Sequence, residues 1–128
     1  MKKIILAVAF LAMVSCKKES SEPFGKPAEA TSTKVQTPEA LGKEIFEGKG
    51  NCVACHQVDQ KVIGPSVKEI AKIYKEKNGN MVAFLNGEAD AIVDPEQFSV
   101  MQANLEITKT FTETELKAVE AYINSNLK

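Results

Sequence analysis

Hydrophobic residues recur at intervals of three and four positions in several parts of the chain, which is the spacing of one face of an α-helix. The first of these segments opens with Thr37, a residue type that caps helices, and Pro38, which is favoured at the first helical position. Gly48 then interrupts the pattern. We therefore expect a helix between Thr37 and Gly48. Its apolar positions are Leu41, Ile45 and Phe46.

The end of the chain carries the most complete helix signal. Thr112 and Glu115 have the spacing of a capping box, in which each side chain bonds the backbone N–H of the other residue. Gly42 lies inside the first helix at a cost of about 1 kcal/mol relative to alanine, which indicates close packing by another backbone. We expect the last helix to supply that backbone. Its apolar stripe consists of Leu116, Val119, Tyr122, Ile123 and Leu127.

Two further helices are predicted in the middle of the chain. Ser66 caps a helix over residues 67–77, and Asn80 begins a shorter one. Residues 88–111 show no helical periodicity and contain a turn signal at Asp94. We expect this stretch to be irregular and functional, because long unstructured connections are uncommon in compact domains. The apolar positions of the two helices are Val67, Ile70, Ala71, Tyr74, Met81, Phe84 and Leu85.

The N-terminus has a different character. Two lysines precede an apolar run of eleven residues at 4–14, which is the arrangement of a secretory signal peptide. This run is too short to span a bilayer as a helix, so we expect residues 1–15 to be removed. The end of the run, up to Cys16, resembles a bacterial lipobox, in which the cysteine becomes the acylated first residue. The alternative is an ordinary cleaved signal with a free cysteine nearby.

Residues 16–36 offer little to bury, so we expect a lipidated cysteine followed by a disordered tether. The folded domain is expected over residues 37–128. The chain has 128 residues and a net charge of −1, and its basic residues are lysines that alternate with acids. This distribution argues against a nucleic-acid partner.

The segment Cys52-Val53-Ala54-Cys55-His56 holds the single histidine and two of the three cysteines of the chain. This is the Cys-x-x-Cys-His pattern of covalent haem c attachment. On a helical turn the three side chains point to one side. There, two thiols could join the vinyl groups of a haem while the imidazole ligates the iron. Because haem c is attached outside the cytoplasm, the motif agrees with the predicted export.

Three other uses of these residues remain open. Zinc prefers four ligands, and the sequence has no second histidine or second close cysteine pair to complete such a site. A redox-active dithiol normally follows a strand in a βαβ unit, and no strand is predicted before Gly50. The cysteine pair could also be incidental.

A haem iron bound by His56 has a second axial position, and methionine in that position stabilises the reduced state. Met81 and Met101 are the candidates, because the other two methionines belong to the signal peptide. Met81 lies in an apolar helical run, where a role in the core is ordinary. We expect Met101 to be the iron ligand, since the stretch around it can fold over the ring. The alternative is a loop methionine that packs on the ring edge or is exposed.

Together these features resemble the class I cytochromes c of the short bacterial monohaem type, over residues 37–128. The resemblance rests on the Cys-x-x-Cys-His motif, on Ile63-Gly64-Pro65, on a late methionine and on the terminal amphipathic helix. It implies an all-α fold of about four to five helices around one haem, with crossed first and last helices. It also implies that the Pro65 carbonyl accepts a hydrogen bond from His56. The residues implied at the crossing are Gly42, Phe46, Val119 and Tyr122. The departure from the family is that Ser99-Val100-Met101-Gln102 lacks the prolines that often flank the methionine.

The resemblance further implies an electron carrier rather than an enzyme, since an iron with two protein ligands has no open site. The expected cofactors are one haem c and its iron, and the expected partners are redox proteins such as a respiratory oxidase or reductase complex, with no small-molecule substrate. Lipid on Cys16 would hold the domain at a bacterial membrane, facing the periplasm. The rivals are a haem enzyme or gas sensor with an open sixth position, and a zinc or haem-free lipoprotein module. The apolar pocket is expected to include Phe46, Ile63, Tyr74, Phe84, Leu85, Phe98 and Leu105.

Overall fold

The computed structural model describes residues 36–127, which form five α-helices and two short 3₁₀ turns. The helices are α1 (Pro38–Glu47), α2 (Val67–Lys77), α3 (Met81–Leu85), α4 (Phe98–Thr108) and α5 (Glu113–Ser125). The 3₁₀ turns are Cys52–Ala54 and Pro95–Gln97. Because residues 36–127 contain no β-strand, the prediction of an all-α fold is confirmed.

The predicted signal peptide, Cys16 and nearly all of the predicted tether lie outside the described residues. Among the helices of residues 36–127, none has the length and apolar character needed to cross a membrane.

The predicted helix starts are confirmed by their caps. The hydroxyl of Thr37 accepts a hydrogen bond from the N–H of Ala40 at 3.2 Å, and the Ser66 hydroxyl accepts one from the N–H of Glu69 at 3.1 Å. The capping box of α5 is complete. Each of these side chains satisfies an N–H group that has no partner within the helix itself.

Helices α1 and α5 cross at Gly42. A Cβ atom on Gly42 would lie 1.9 Å from the carbonyl oxygen of Ala118 and 2.8 Å from Cβ of Tyr122. Beside the crossing the rings of Phe46 and Tyr122 pack with centroids 5.2 Å apart and planes tilted by 59°. Gly42 lowers the helix propensity of α1, but it allows the two backbones to come into contact. The predicted crossing is therefore confirmed.

Lys49 adds a polar link between the same two ends of the chain. Its Nζ donates to Oε1 of Glu115 at 2.5 Å and lies 4.5 Å from the centroid of the Phe111 ring. The loop that follows α1 is thus fastened to the start of α5.

The α2 and α3 helices complete the core with side chains that are almost fully covered. Val67 and Ala71 have 0% exposure and Met81 has 2%. The stripes predicted for these helices are therefore confirmed, and they pack with α1 and α5 around one apolar interior.

The prediction that residues 88–111 are irregular was wrong, because α4 occupies Phe98–Thr108. Phe98, Met101 and Leu105 share one face of this helix at the spacing i, i+3 and i+7. Val100 and Ile107 are also apolar but lie off this face, and both are exposed. Because apolar residues occur around this helix and not along one face, its sequence lacks the clear periodicity of an amphipathic helix. The residue that precedes α4, Gln97, also forms no side-chain cap within the described residues.

Candidate functional site

The Cys-x-x-Cys-His segment is presented by a tight turn after α1. The N–H of Gly50 donates to the Ile45 carbonyl at 2.8 Å, and Asn51 adopts a left-handed conformation with φ of 49°. The chain then enters the 3₁₀ turn, and just after it the N–H of His56 donates to the Cys52 carbonyl at 2.9 Å. This local winding directs Cys52, Cys55 and His56 into one cleft, as the residue spacing predicts.

The imidazole of His56 is oriented by two neighbours. Its Nδ1 lies 2.8 Å from the Pro65 carbonyl oxygen, which can only accept a hydrogen bond, so Nδ1 carries the proton. A Cβ atom on Gly64 would lie 2.4 Å from Cε1 of the ring, so the glycine allows the backbone to lie against the imidazole. The Nε2 lone pair is thereby left for a metal.

The loop that carries Gly64 and Pro65 is itself held in place. The N–H of Gly64 donates to the Cys55 carbonyl at 3.0 Å, and the N–H of Val67 donates to the Gln57 carbonyl at 2.9 Å. The histidine and the residues that orient it are therefore parts of one hydrogen-bonded unit between the 3₁₀ turn and α2.

The two thiols are half-buried and have no disulfide partner within the described part of the chain. Cys52 Sγ lies 3.4 Å from the Gly50 carbonyl oxygen. Burial raises the pKa of the Cys52 thiol to about 11, so this group is neutral at neutral pH.

The cleft is lined mainly by apolar side chains. About 900 Å³ of space free of protein atoms lies within it and the open solvent at its mouth. Six of the seven predicted pocket residues line it, whereas Leu105 does not and instead borders a separate groove beside α4. Sequence reasoning missed a group of further lining residues, because their partners come from distant parts of the chain. These are Ile70, Met81, Ala91, Ile92, Val93, Val100, Val119 and Ile123.

Both candidate methionines reach this cleft. Met81 begins α3 and is 2% exposed, with its side chain packed into the core. Met101 lies on α4, is half-buried, and shares its helix face with the lining residue Phe98. A core methionine is already surrounded by packing partners, whereas Met101 projects a thioether from a partly open wall.

These residues fit a covalently attached haem. Two thiols three positions apart, an imidazole with a free Nε2 and a thioether all line one apolar cleft, which is the donor set and environment that haem c requires. Zinc is a poorer match, because within residues 36–127 no three His, Cys, Asp or Glu side chains gather in metal-binding geometry. The all-helical surroundings also lack, among these residues, the strand that precedes a redox-active dithiol.

Comparison with known proteins agrees with this geometry. A sequence model of the family described as Cytochrome c matches residues 39–126. The chain is 57% identical over 30 residues to cytochrome c-552 of Nitrosomonas europaea, covering 23% of this chain and 29% of that protein. It is 38% identical over 47 residues to cytochrome c-551 of Pseudomonas denitrificans, covering 37% and 56%. It is 42% identical over 38 residues to cytochrome c-551 of Azotobacter vinelandii, covering 30% and 45%. The matched segments thus span between about three tenths and just over half of these relatives.

Proposed function

The chain belongs to the cytochrome c family, whose cofactor is a covalently bound haem c with iron, and from this premise we propose that it carries single electrons with His56 and Met101 as the two iron ligands. Cys52 and Cys55 are the residues proposed to form the thioether links. The observation that carries the proposal is that His56, Met101 and both thiols line the same apolar cleft.

Each side chain has a definite task in this proposal. When bound, the haem supplies a one-electron couple between Fe(II) and Fe(III). His56 offers Nε2 to the iron while its Nδ1–H bond to Pro65 fixes the ring and strengthens its donation. Met101 offers a soft sulfur, which favours the reduced state.

The cleft walls act on the charge of the site. Phe46, Tyr74 and Phe84 contribute rings to a lining that is mostly apolar. An apolar lining disfavours additional charge, so it stabilises the less charged reduced form. If His56 and Met101 both ligate the iron, no position would remain for a substrate, which supports a carrier rather than an enzyme.

The ligand assignment is tested by visible absorption of the protein matured in a host that attaches haem c. We expect a low-spin spectrum with a weak methionine-to-iron band in the far red of the oxidised form. Met101→Ala should abolish this band, and Met81→Ala is the matched control that should keep it.

Two results would contradict the assignment. A band that survives Met101→Ala would place another group on the iron. A high-spin spectrum in the unmodified protein would indicate an open sixth position, and a haem enzyme or gas sensor would then be the better description.

We also propose the organisation of the whole chain. Residues 1–15 act as a signal peptide, Cys16 is lipidated, and the tether up to residue 36 holds a domain of residues 37–128 at a bacterial membrane on the periplasmic side. Support comes from the apolar run and lipobox-like sequence, and from the export that haem c attachment requires. Cys16→Ser should move the holoprotein from the membrane fraction to the soluble fraction, and an unchanged distribution would contradict lipid anchoring.

The proposed partners are redox proteins such as a respiratory oxidase or reductase complex. Ile63 and Val100 line the cleft and remain 57% and 53% exposed, which provides an apolar rim beside the cofactor. Small apolar rims suit the short-lived contacts of electron transfer. Ile63→Glu should slow electron exchange with such a partner while leaving the far-red band unchanged, and an unchanged rate would argue against docking at this rim.

A further inference from the structure

The connection between α3 and α4 forms one wall of the cleft. Residues 91–94, which we name the strap, have no helical structure, and all four are half-buried lining residues. The strap leads through the 3₁₀ turn Pro95–Gln97 directly into α4, the helix that carries Met101. Its position therefore sets where that helix begins.

Two lysines from other parts of the chain bind the strap. Lys61 Nζ donates to Oδ2 of Asp94 at 2.9 Å, and Lys77 Nζ donates to the Ile92 carbonyl oxygen at 2.9 Å. Lys61 belongs to the loop that orients His56, and its backbone pairs with that of His56 in an isolated bridge. The Lys61–Asp94 pair thus joins the histidine side of the cleft to the methionine side.

The two ends of α4 are held differently. At the C-terminal end the buried hydroxyl of Thr108 donates to the Leu85 carbonyl oxygen at 2.5 Å. At the N-terminal end, where Met101 lies one turn inside, the contacts are the Phe84–Phe98 ring pair at 6.1 Å and the strap. An ion pair that fixes the strap therefore acts on the N-terminal end of the helix, which is the end nearer Met101.

We infer that Lys61 and Asp94 are positioning residues for the sixth iron ligand: their ion pair latches the strap to the histidine loop and so limits how often the Met101 end of α4 leaves the cleft. This inference rests on the proposed ligation by Met101. Neither residue contacts the iron in this view, and each acts by holding the segment that presents the thioether.

The test measures how often the ligand leaves. Ferric holoprotein is mixed at about pH 8 with imidazole, which is mostly neutral there, so surface charge does not steer its approach. At saturating imidazole the rate of the spectral change is limited by loss of the methionine ligand. Lys61→Ala and Asp94→Asn should each raise this limiting rate about two- to fivefold, the range that exposed ion pairs support.

Further variants distinguish the loss of the Lys61–Asp94 ion pair, the latch of this inference, from general destabilisation of the fold. The double variant Lys61→Ala/Asp94→Asn should react no faster than either single variant, because both remove the same bond. The exchanged pair Lys61→Asp/Asp94→Lys should restore most of the original rate. Lys72→Ala is the matched control, since Lys72 forms an exposed pair with Glu76 at 3.9 Å on α2. It should leave the rate unchanged.

The outcomes distinguish this inference from the ligand assignment. If the far-red band depends on Met101 but Lys61→Ala and Asp94→Asn react at the original rate, ligation stands and the latch is overturned. Additive effects of the two substitutions would overturn it as well. If the band is indifferent to Met101, the ligand assignment and the latch fail together.

Discussion

The α1–α5 crossing and the strap with α4 lie on the same small core but are built in opposite ways. At the crossing, Gly42 removes even a Cβ so that the helices meet backbone to backbone, and the residues around it are buried. On the other side, α4 exposes Val100 and Ile107, and its attachments include the buried Leu105 and Thr108, a ring pair and an ion pair on the strap. Close packing tolerates little displacement, whereas polar links can open one at a time.

This difference matches the proposed roles of the two regions. The crossing supports the turn that carries both cysteines and His56, through the Gly50 bond to Ile45 and the Lys49 bond to Glu115. The more loosely attached region carries Met101. The proposed covalent attachment would thus lie on the rigid part of the molecule, and the proposed methionine ligand on the more loosely attached part.

The largest loss of stability is expected at Gly42, where α1 and α5 meet backbone to backbone. Gly42→Ala adds one methyl group where the Ala118 oxygen is 1.9 Å away, so we expect the free energy of unfolding to fall by about 2–3 kcal/mol. Helix propensity alone predicts the opposite sign, a gain of about 1 kcal/mol. Denaturant unfolding of the holoprotein decides between them. Lys43→Ala, at the exposed neighbouring position, should change little.

The next largest effect is expected at Thr108, the buried anchor of α4. Thr108→Val keeps the shape but removes the donor to the Leu85 carbonyl, which should cost about 1–2 kcal/mol. Amide hydrogen exchange should accelerate in α4 more than in α1 and α5, because the damage is local. Thr110→Val is the control, since the Thr110 hydroxyl donates to the Ile107 carbonyl at an exposed position. Equal acceleration in all three helices would contradict a separately anchored α4.

The cap of α5 provides a smaller test of the crossing. Thr112→Ala removes the acceptor for the Glu115 N–H and should lower stability by about 1 kcal/mol. Thr114→Ala, in the first turn of the same helix but outside the cap, should have little effect. The thermal midpoint of the holoprotein measures both, and similar losses from the two variants would show that the cap contributes nothing specific.

The smallest effect concerns Glu115 and depends on pH. A hydrogen bond from Lys49, followed by one from the Thr112 N–H, lowers the pKa of this carboxyl in the folded protein. Its contribution to stability is therefore present above the ordinary carboxyl pKa and is lost as pH falls through the lowered folded value. Glu115→Gln should be less stable than the original protein at pH 7, and the two should converge in acid, below about pH 4. A pH-independent gap between Glu115→Gln and the original protein would refute the linkage.

Much of the rigid region could be predicted from the sequence because its signals are local. Thr37, Ser66 and Thr112 cap helices as their spacing indicates. Gly42 lowers the helix propensity of α1, which indicates that another backbone packs closely against it. The α4 helix could not be predicted, since apolar residues such as Phe98 and Ile107 lie on opposite faces.

The candidate site divides in the same way. The turn that gathers Cys52, Cys55 and His56 follows from their spacing within one segment. By contrast, the strap and its bonds to Lys61 and Lys77 join residues that are far apart in the chain. Complementary charges pair in the folded protein because the fold brings them together, and the periodicity of the sequence does not predict which charges will pair.

The contact between Gly42 and Ala118 also has a bearing on the order in which the protein assembles. These residues come from the first and last helices, so their meeting closes the largest loop among the described helices and carries the greatest entropic cost of closure. The Cys-x-x-Cys-His segment needs only five consecutive residues. The thiols and the imidazole can therefore gather early in synthesis and export, whereas the α1–α5 crossing can form only after the C-terminal helix has been made.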